Sequence, residues 1–180
     1  MTKKESVLFD FVFRRNNPTN AWQRRPNLNL SADLSTPAFG GITVGSPFEQ
    51  LSYLGRSDNR EVERIDYLDL GILFDRESDG TFSGYALFFS DEFFKPYLGK
   101  ITIAGVSVTA KDIPDALGEA YCVDTDEDET IHFYEFGTHE ILCEFALDGS
   151  LNEVTLTTFP MLADPVQRDR YGVTKAWPWP

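Results

Sequence analysis

The chain has 180 residues, of which 42% are hydrophobic and 25% charged, and its formal net charge is −13. This composition is that of a folded globular protein and excludes a wholly disordered chain. The charge is concentrated in the middle, because residues 57–153 contain 23 acidic and 6 basic residues. An acidic surface of this kind argues against nucleic acid as a partner and allows a basic protein, with solubility as the simpler explanation.

No segment of the sequence has the features of a membrane span or a secretory signal. The apolar run SVLFDFVF is interrupted by Asp10 and is not followed by a small-residue cleavage site. We therefore expect a cytoplasmic protein without membrane contacts. Cys122 and Cys143 match no metal-site spacing and are expected to stay reduced, with a disulfide as the alternative.

The first 40 residues predict one strand followed by an irregular arm. Phe9, Phe11 and Phe13 recur at every second position, which is the period of a half-buried strand, and predict a strand over residues 6–14. Residues 15–40 are rich in Asn, Pro and Ser and show no sustained period, so we predict a loop there with a short extended piece at NLNLSA, residues 27–32.

Two short helices are predicted, one in each half of the chain. In GITVGSPFEQLSYLG, Ser46 and Glu49 have the spacing of a capping box, and Gly55 is a left-handed stop signal. In VSVTAKDIPDALG, a start at Asp112 places a proline in the first turn and Gly118 at the stop. Helices this short need packing on a sheet to be stable.

Two segments of the chain align with each other without a gap. They are residues 72–89, ILFDRESDGTFSGYALFF, and residues 141–158, ILCEFALDGSLNEVTLTT, which lie 69 positions apart. Each contains an Asp-Gly pair, beginning at Asp79 and at Asp148, between two β-like runs. This is a strong hairpin signal and predicts one structural unit built twice.

These elements predict an α+β fold. Two tandem units, each a helix followed by an antiparallel meander, form a shared or adjacent β-sheet, with an N-terminal strand and arm. The predicted divisions are the arm at 1–40, the first repeat unit at 41–104, the second at 105–160, and an extended C-terminal tail at 161–180. The Trp-Pro-rich end of the tail is predicted to cover apolar surface, with a docking peptide as the alternative.

The segment GITVGSPFEQLSYLG, followed by YLDLGILFDRESDGTFSGYALFF, resembles the tandem repeat of the β-lactamase inhibitor protein-like family, which is also seen in SmpA/OmlA-type lipoproteins. The resemblance covers about residues 40–159. It implies two helix-plus-sheet units packed side by side and a sheet surface that grips protein partners. The chain departs from the family in lacking a lipoprotein signal and the cysteines of the intra-repeat disulfides.

The acidic run DTDEDETIHFYE has part of the spacing of a Ca²⁺-binding loop. Asp124, Asp126, Asp128 and Glu135 stand at positions 1, 3, 5 and 12 of that pattern. Glu129 stands where the pattern needs glycine for a sharp turn, and a strand follows instead of a helix. A solvated acidic loop is therefore the favoured interpretation, and no cofactor is expected.

The two histidines are a second weak candidate for chemistry. His132 and His139 are seven positions apart and flank a predicted hairpin turn, so Glu140 or Glu144 is able to join them in a metal or acid/base site. This supports an alternative function, a metal-dependent module or enzyme centred on the histidines and the acidic loop at 124–129. Packed or surface histidines are the simpler expectation.

A face of the predicted sheet is the remaining candidate for function. Strand alternation places Asp75, Phe88, Glu144, Thr155 and Thr157 on the face opposite the helices. Acids, hydroxyls and an aromatic ring on one face form a suitable platform for protein binding, although an ordinary half-solvated sheet has the same pattern.

The hypothesis that follows is a non-catalytic protein-binding module, for example an immunity-type inhibitor, that uses this sheet face and the acidic loops to bind another protein, a basic one being favoured. Besides the metal-dependent alternative, a structural protein that associates with itself through exposed aromatic residues remains open. The chain contains no Gly-x-Ser-x-Gly, no phosphate-binding glycine loop and no His-Glu-x-x-His motif.

Overall fold

The structure is a computed structural model that describes residues 17–59, 61–175 and 177. Within these residues the chain forms twelve short strands: β1 (Ser31–Asp33), β2 (Ala38–Phe39), β3 (Ile42–Thr43), β4 (Arg64–Tyr67), β5 (Ile72–Arg76), β6 (Phe82–Phe88), β7 (Lys100–Ile103), β8 (Val106–Val108), β9 (Cys122–Thr125), β10 (Glu129–Glu135), β11 (Glu140–Ala146) and β12 (Leu151–Thr157). Two α-helices are present, α1 (Ile113–Leu117) and α2 (Pro165–Arg170), with 3-10 helices at Phe48–Leu54, Ala110–Asp112 and Met161–Ala163. The strand predicted over residues 6–14 lies outside the described residues.

The strands form two sheets that pack face to face. The large sheet is antiparallel throughout and has seven strands in the order β4-β5-β6-β12-β11-β10-β9. The small sheet has five strands in the order β3-β2-β1-β7-β8, and β1 and β7 are its parallel pair. Buried side chains from both sheets belong to one cluster, so the main core lies between them.

The predicted α+β fold class is wrong. The chain is mostly sheet, with sheets of five and seven strands and only 15% helix, and it does not form two helix-plus-meander units. The physical reason is the length of the predicted helices. A helix well below about 12 residues is not stable alone, so its conformation follows the packing of its few apolar side chains.

Of the predicted start and stop signals of the two short helices, only some occur in the structure. Phe48–Leu54 is a 3-10 helix, and no side chain caps its start, so Ser46 does not act as the predicted cap. Both predicted stops do occur, since Gly55 and Gly118 have φ values of 84° and 83°. In the described part of the chain, no helix has the length and apolar character that crossing a bilayer would require.

The two Asp-Gly segments form equivalent hairpins, as their sequences predict. β5–β6 and β11–β12 each have an irregularity of register directly after an acidic residue, Asp75 in the first and Glu144 in the second. The aspartate of each turn, Asp79 or Asp148, accepts a hydrogen bond from the backbone N–H two residues later, at 2.9 Å in both.

The hairpins join through β6 and β12, which are adjacent and antiparallel. The register of this pair is symmetric about Ala86 and Thr155, because each pairing on one side is matched by a pairing of the equivalent residues on the other. A local two-fold axis therefore relates the hairpins, and one continuous sheet crosses both halves of the chain.

The core between the sheets is rich in aromatic residues. Phe74 lies at its centre, and four of the rings around it pack edge to face, with centroid distances between 5.0 and 6.1 Å and interplanar angles between 63° and 86°. Those rings belong to Phe39 of the small sheet, Phe48 of the 3-10 helix, and Tyr67 and Phe82 of the large sheet. Edge-to-face pairs of this kind add to the free energy gained from burial.

The outer face of the large sheet is covered at both sides. On one side Phe94 stacks on Phe88, with ring centroids 3.9 Å apart. On the other, the segment after β12 places Leu162 and Trp177 in a cluster with Tyr121 and Phe133. Trp177 therefore covers apolar surface, as predicted, and the last three residues lie outside the described part. The prediction that residues 161–180 are extended is wrong, because this segment contains α2 and a 3-10 helix.

Candidate functional site

Between these two covers, the outer face of the large sheet presents a group of polar side chains. Asp75 on β5, Glu144 on β11 and Glu153 on β12 share this face, with Thr155 and Thr157 farther along β12. Glu144 and Glu153 are directly opposite each other in the register. We name these five residues the acidic face. Four of them are among the five predicted from alternation.

The three carboxyl groups of the acidic face are partly buried; those of Glu144 and Glu153 are neighbours, and Asp75 lies on the far side of β6. Burial raises the pKa of Glu144 to about 7, helped by a hydrogen bond and repulsion from Glu129 and by repulsion from Glu153. Burial likewise raises the pKa of Glu153 and of Asp75, while the positive charge of Arg64 lowers both. The face therefore holds negative charge that Arg64 only partly offsets.

Phe88 does not belong to this surface. Its side chain is 5% exposed because Phe94, from the loop after β6, covers it. Sequence reasoning missed Glu153, which lies beside Glu144. The sequence did contain a signal for Glu153, because the equivalent position in the first hairpin is Gly84. A charged residue thus stands in an inner strand where the other hairpin has a glycine.

A groove of about 420 Å³ lies at the end of the acidic face, next to Asp75 and Thr157. Arg76 also lines it, and its Nε atom is buried without a hydrogen-bond partner among the described residues. At the rim stands Phe159, whose side chain is 65% exposed. The acidic face thus borders an exposed aromatic residue of the type that anchors protein interfaces.

The residues with Ca²⁺-loop spacing do not converge. Asp124 lies on the edge strand β9, and Asp126 lies in the following turn, where it accepts hydrogen bonds from the backbone N–H groups of Asp128 and Glu129. Glu135 ends β10 and is separated from this turn by the whole seven-residue strand, about 20 Å of extended chain. Asp126 therefore stabilises a turn, and no cluster suited to a metal occurs in the part of the chain that the structure describes.

The two histidines are engaged separately. His132 packs against Phe145, with ring centroids 4.8 Å apart. His139 is 2% exposed, and its Nε2 lies 3.1 Å from the carbonyl oxygen of Leu34 while its Nδ1 lies 3.1 Å from the hydroxyl of Thr138. Because a carbonyl only accepts, Nε2 carries the hydrogen and Nδ1 accepts from the threonine. Both ring nitrogens of His139 are occupied, and burial lowers its pKa.

The two cysteines are free, as predicted. Cys143 is buried in the core between the sheets, and burial raises its pKa to about 12. Burial and the charge of Asp124 raise the pKa of Cys122. The pKa of Cys122 is raised even though the charge of Lys175 opposes the rise, so neither thiol has the lowered pKa that a nucleophilic cysteine needs.

Comparison with known proteins adds little to this description. No protein-family model matches the chain, and no curated protein matches it. Among solved structures, a DUF4309 family protein, YjgB of Bacillus subtilis, matches with a TM-score of 0.47 and 20% sequence identity, over 67% of this chain and 84% of its own. A similarity this distant assigns neither a family nor a function.

Proposed function

We propose that the protein is a non-catalytic binding protein whose acidic face, together with the neighbouring acidic loops, binds a basic surface of another protein. The observation that carries the proposal is the placement of Asp75, Glu144 and Glu153, from three strands, on the outer face of the large sheet, each partly exposed between the segments that cover that face. Burial and mutual repulsion work against their ionised forms, and a cationic partner relieves that repulsion. An immunity-type inhibitor is one concrete form of this function.

The border of the acidic face supports a protein partner over a small ion. Phe159 stands at the groove end, and Phe93, 70% exposed, lies in the loop that also carries Phe94. Charge that steers a partner, next to exposed aromatic anchors, is the usual composition of a protein interface. The metal-dependent alternative has less support, since His132 and His139 have separate partners.

The proposal is tested by neutralising the face without changing its shape. The variant combines Asp75→Asn with Glu144→Gln. A matched control combines Glu49→Gln with Asp169→Asn, which removes two exposed acids elsewhere. Each immobilised protein is titrated with a defined lysine- and arginine-rich peptide at several salt concentrations, and the bound proteins from a lysate of the source cells are compared.

We expect the face variant to bind the peptide about tenfold more weakly than the wild type, with a smaller dependence on salt, and to lose its stoichiometric partner from the lysate. The control variant should keep both. Because the acids of the face have raised pKa values, the face variant should be at least as stable as the wild type. Equal binding by the two variants would remove the acidic face as the interaction surface.

A further inference from the structure

A small pocket lies at the edge of the large sheet, beyond the end of β9 and apart from the acidic face. Its volume is about 200 Å³, which is space for about six water molecules. Three of its six lining residues are aromatic and two are acidic. The pocket is lined by Leu117, Glu119, Tyr121, Tyr134, Glu135 and Phe136.

The two acids of the pocket differ in their surroundings. The Glu119 side chain is 82% exposed, whereas Glu135 is 5% exposed. Both carboxyl oxygens of Glu135 are buried, and no N–H or O–H group of another described residue donates a hydrogen bond to them. A buried polar group in this condition is costly and calls for a ligand or a proton.

Within the described part of the chain, the groups around Glu135 do not supply a counter-charge. Opposite it in the register stands another acid, Glu140, which accepts hydrogen bonds from the backbone N–H groups of Met161 and Leu162. Burial and then Glu140 raise the pKa of Glu135, and no cation contributes. From the loop before β9, Tyr121 faces the same space. Glu135 therefore holds a proton at neutral pH.

The chain already places one ammonium group against two of the residues that line the pocket. Nζ of Lys175 lies 3.8 Å from Oε1 of Glu119 and 6.0 Å from the centroid of the Tyr121 ring. An ammonium group over an aromatic face and next to a carboxylate is the arrangement by which aromatic cages hold organic cations. The outer wall of the pocket thus has the chemistry to bind an ammonium group.

We propose that this pocket binds an alkylammonium group, supplied by a small amine or by a lysine side chain of a partner protein. The rings of Tyr121, Tyr134 and Phe136 surround its carbon atoms, and the two acids offset its charge. A cation beside Glu135 favours the ionised carboxylate, so binding transfers one proton from Glu135 to the solvent. Lys175 competes with the ligand for Glu119.

The test is a titration of the full chain with n-butylammonium and with the peptide acetyl-Gly-Lys-Gly-amide at constant ionic strength, followed by calorimetry. We expect saturable binding that Glu135→Gln weakens at least about tenfold, or about 1.4 kcal/mol. The control Glu127→Gln removes an exposed acid and should change the affinity less than twofold. Titrations at pH 8 in two buffers with different heats of ionisation should show release of one proton by the wild type and none by Glu135→Gln.

Two further variants separate the pocket from general electrostatics. Phe136→Leu keeps an apolar wall without a ring and should weaken binding severalfold. Lys175→Gln should strengthen binding by more than Lys95→Gln, which removes an equal charge at a remote exposed site.

The two probes distinguish the source of the ammonium group. A peptide that binds about tenfold more tightly than the amine identifies a partner's lysine as the source, and equal affinities identify a small amine. Absence of saturable binding for both probes, or unchanged binding and proton release in Glu135→Gln, would overturn the proposal. The acidic face is a separate surface, so neither result bears on the proposed function.

Discussion

Replacing Glu135 by Gln should make the protein more stable at neutral pH. Glu135 and Glu140 face each other across β10 and β11 and are 5% and 1% exposed. Burial, with the hydrogen bond and repulsion of Glu140, raises the pKa of Glu135 to about 10. Glu140 accepts two backbone N–H groups and so remains the acceptor. The proton that the pair shares is therefore carried by Glu135.

The size of the effect follows from proton uptake on folding. In the unfolded chain the pKa of Glu135 returns to 4.5. At pH 7 the unfolded chain has lost this proton and must take it up to fold, whereas at pH 4 the unfolded chain already carries it. Each pH unit above 4.5 costs about 1.4 kcal/mol, which gives about 3 kcal/mol at pH 7. The contribution of protonated Glu135 to the free energy of unfolding is complete below pH 4.5, and it declines as the pH rises towards 10. Gln takes up no proton and its amide donates to Glu140, so the gain is about 3 kcal/mol at pH 7 and near zero at pH 4.

Urea unfolding at pH 4.5, 5.5, 7 and 8 measures this difference, because the midpoint moves while the slope stays constant. The melting temperature at pH 7 should rise by about 6–12 °C. Glu127→Gln makes the same charge change in an exposed turn and should shift the stability by less than about 0.5 kcal/mol at every pH. Glu140→Gln should destabilise, since an amide oxygen accepts two N–H groups less well than a carboxylate does. A gain for Glu135→Gln that does not change with pH, or a loss at pH 7, would refute the shared proton.

Three further outcomes are expected. Gly84→Ala places a Cβ 2.6 Å from a backbone oxygen of β12 and should cost about 2–3 kcal/mol in urea unfolding; Gly149→Ala meets no atom and should cost about 1 kcal/mol through its positive φ. Phe94→Ala uncovers Phe88 and should lower the free energy of unfolding by about 2 kcal/mol. Phe94→Leu should lower it by less than half of that. Equal losses in the two variants would show that the stacked rings contribute nothing. The affinity of the acidic face for a basic peptide should rise between pH 6 and pH 8, because the pKa of Glu144 is about 7; the rise should vanish in Glu144→Gln, and a rise that persists there would assign the titration to another group.

The hairpins were predictable because their signals are local. An Asp-Gly pair between alternating runs specifies a tight turn whichever surface lies beneath it, and Asp79 and Asp148 make the same backbone hydrogen bond. The helices were not predictable in the same way. The stop at Gly55 depends on one residue and occurred, whereas the helix before it required stability that seven residues do not supply.

The residues of the acidic face were also only partly predictable from the sequence. Alternation along single strands correctly placed Asp75 and Glu144 on one face, since side-chain direction in a strand depends only on sequence spacing. The burial of Phe88 and the position of Glu153 depended on contacts between distant segments. Phe94 covers Phe88 from a loop, and Glu153 meets Glu144 only because β12 pairs with β11 in this register.

Composition, turn residues and strand period decide the charge of this protein, its two equivalent hairpins and the side of each strand that carries the acids. The pairing of β6 with β12, the packing of a five-stranded sheet over the core, and the burial of Glu135 opposite Glu140 arise only in the tertiary structure. The first group depends on forces between neighbours in the chain. The second depends on surfaces that residues far apart in sequence bury together, and these surfaces decide which carboxyl groups keep a proton.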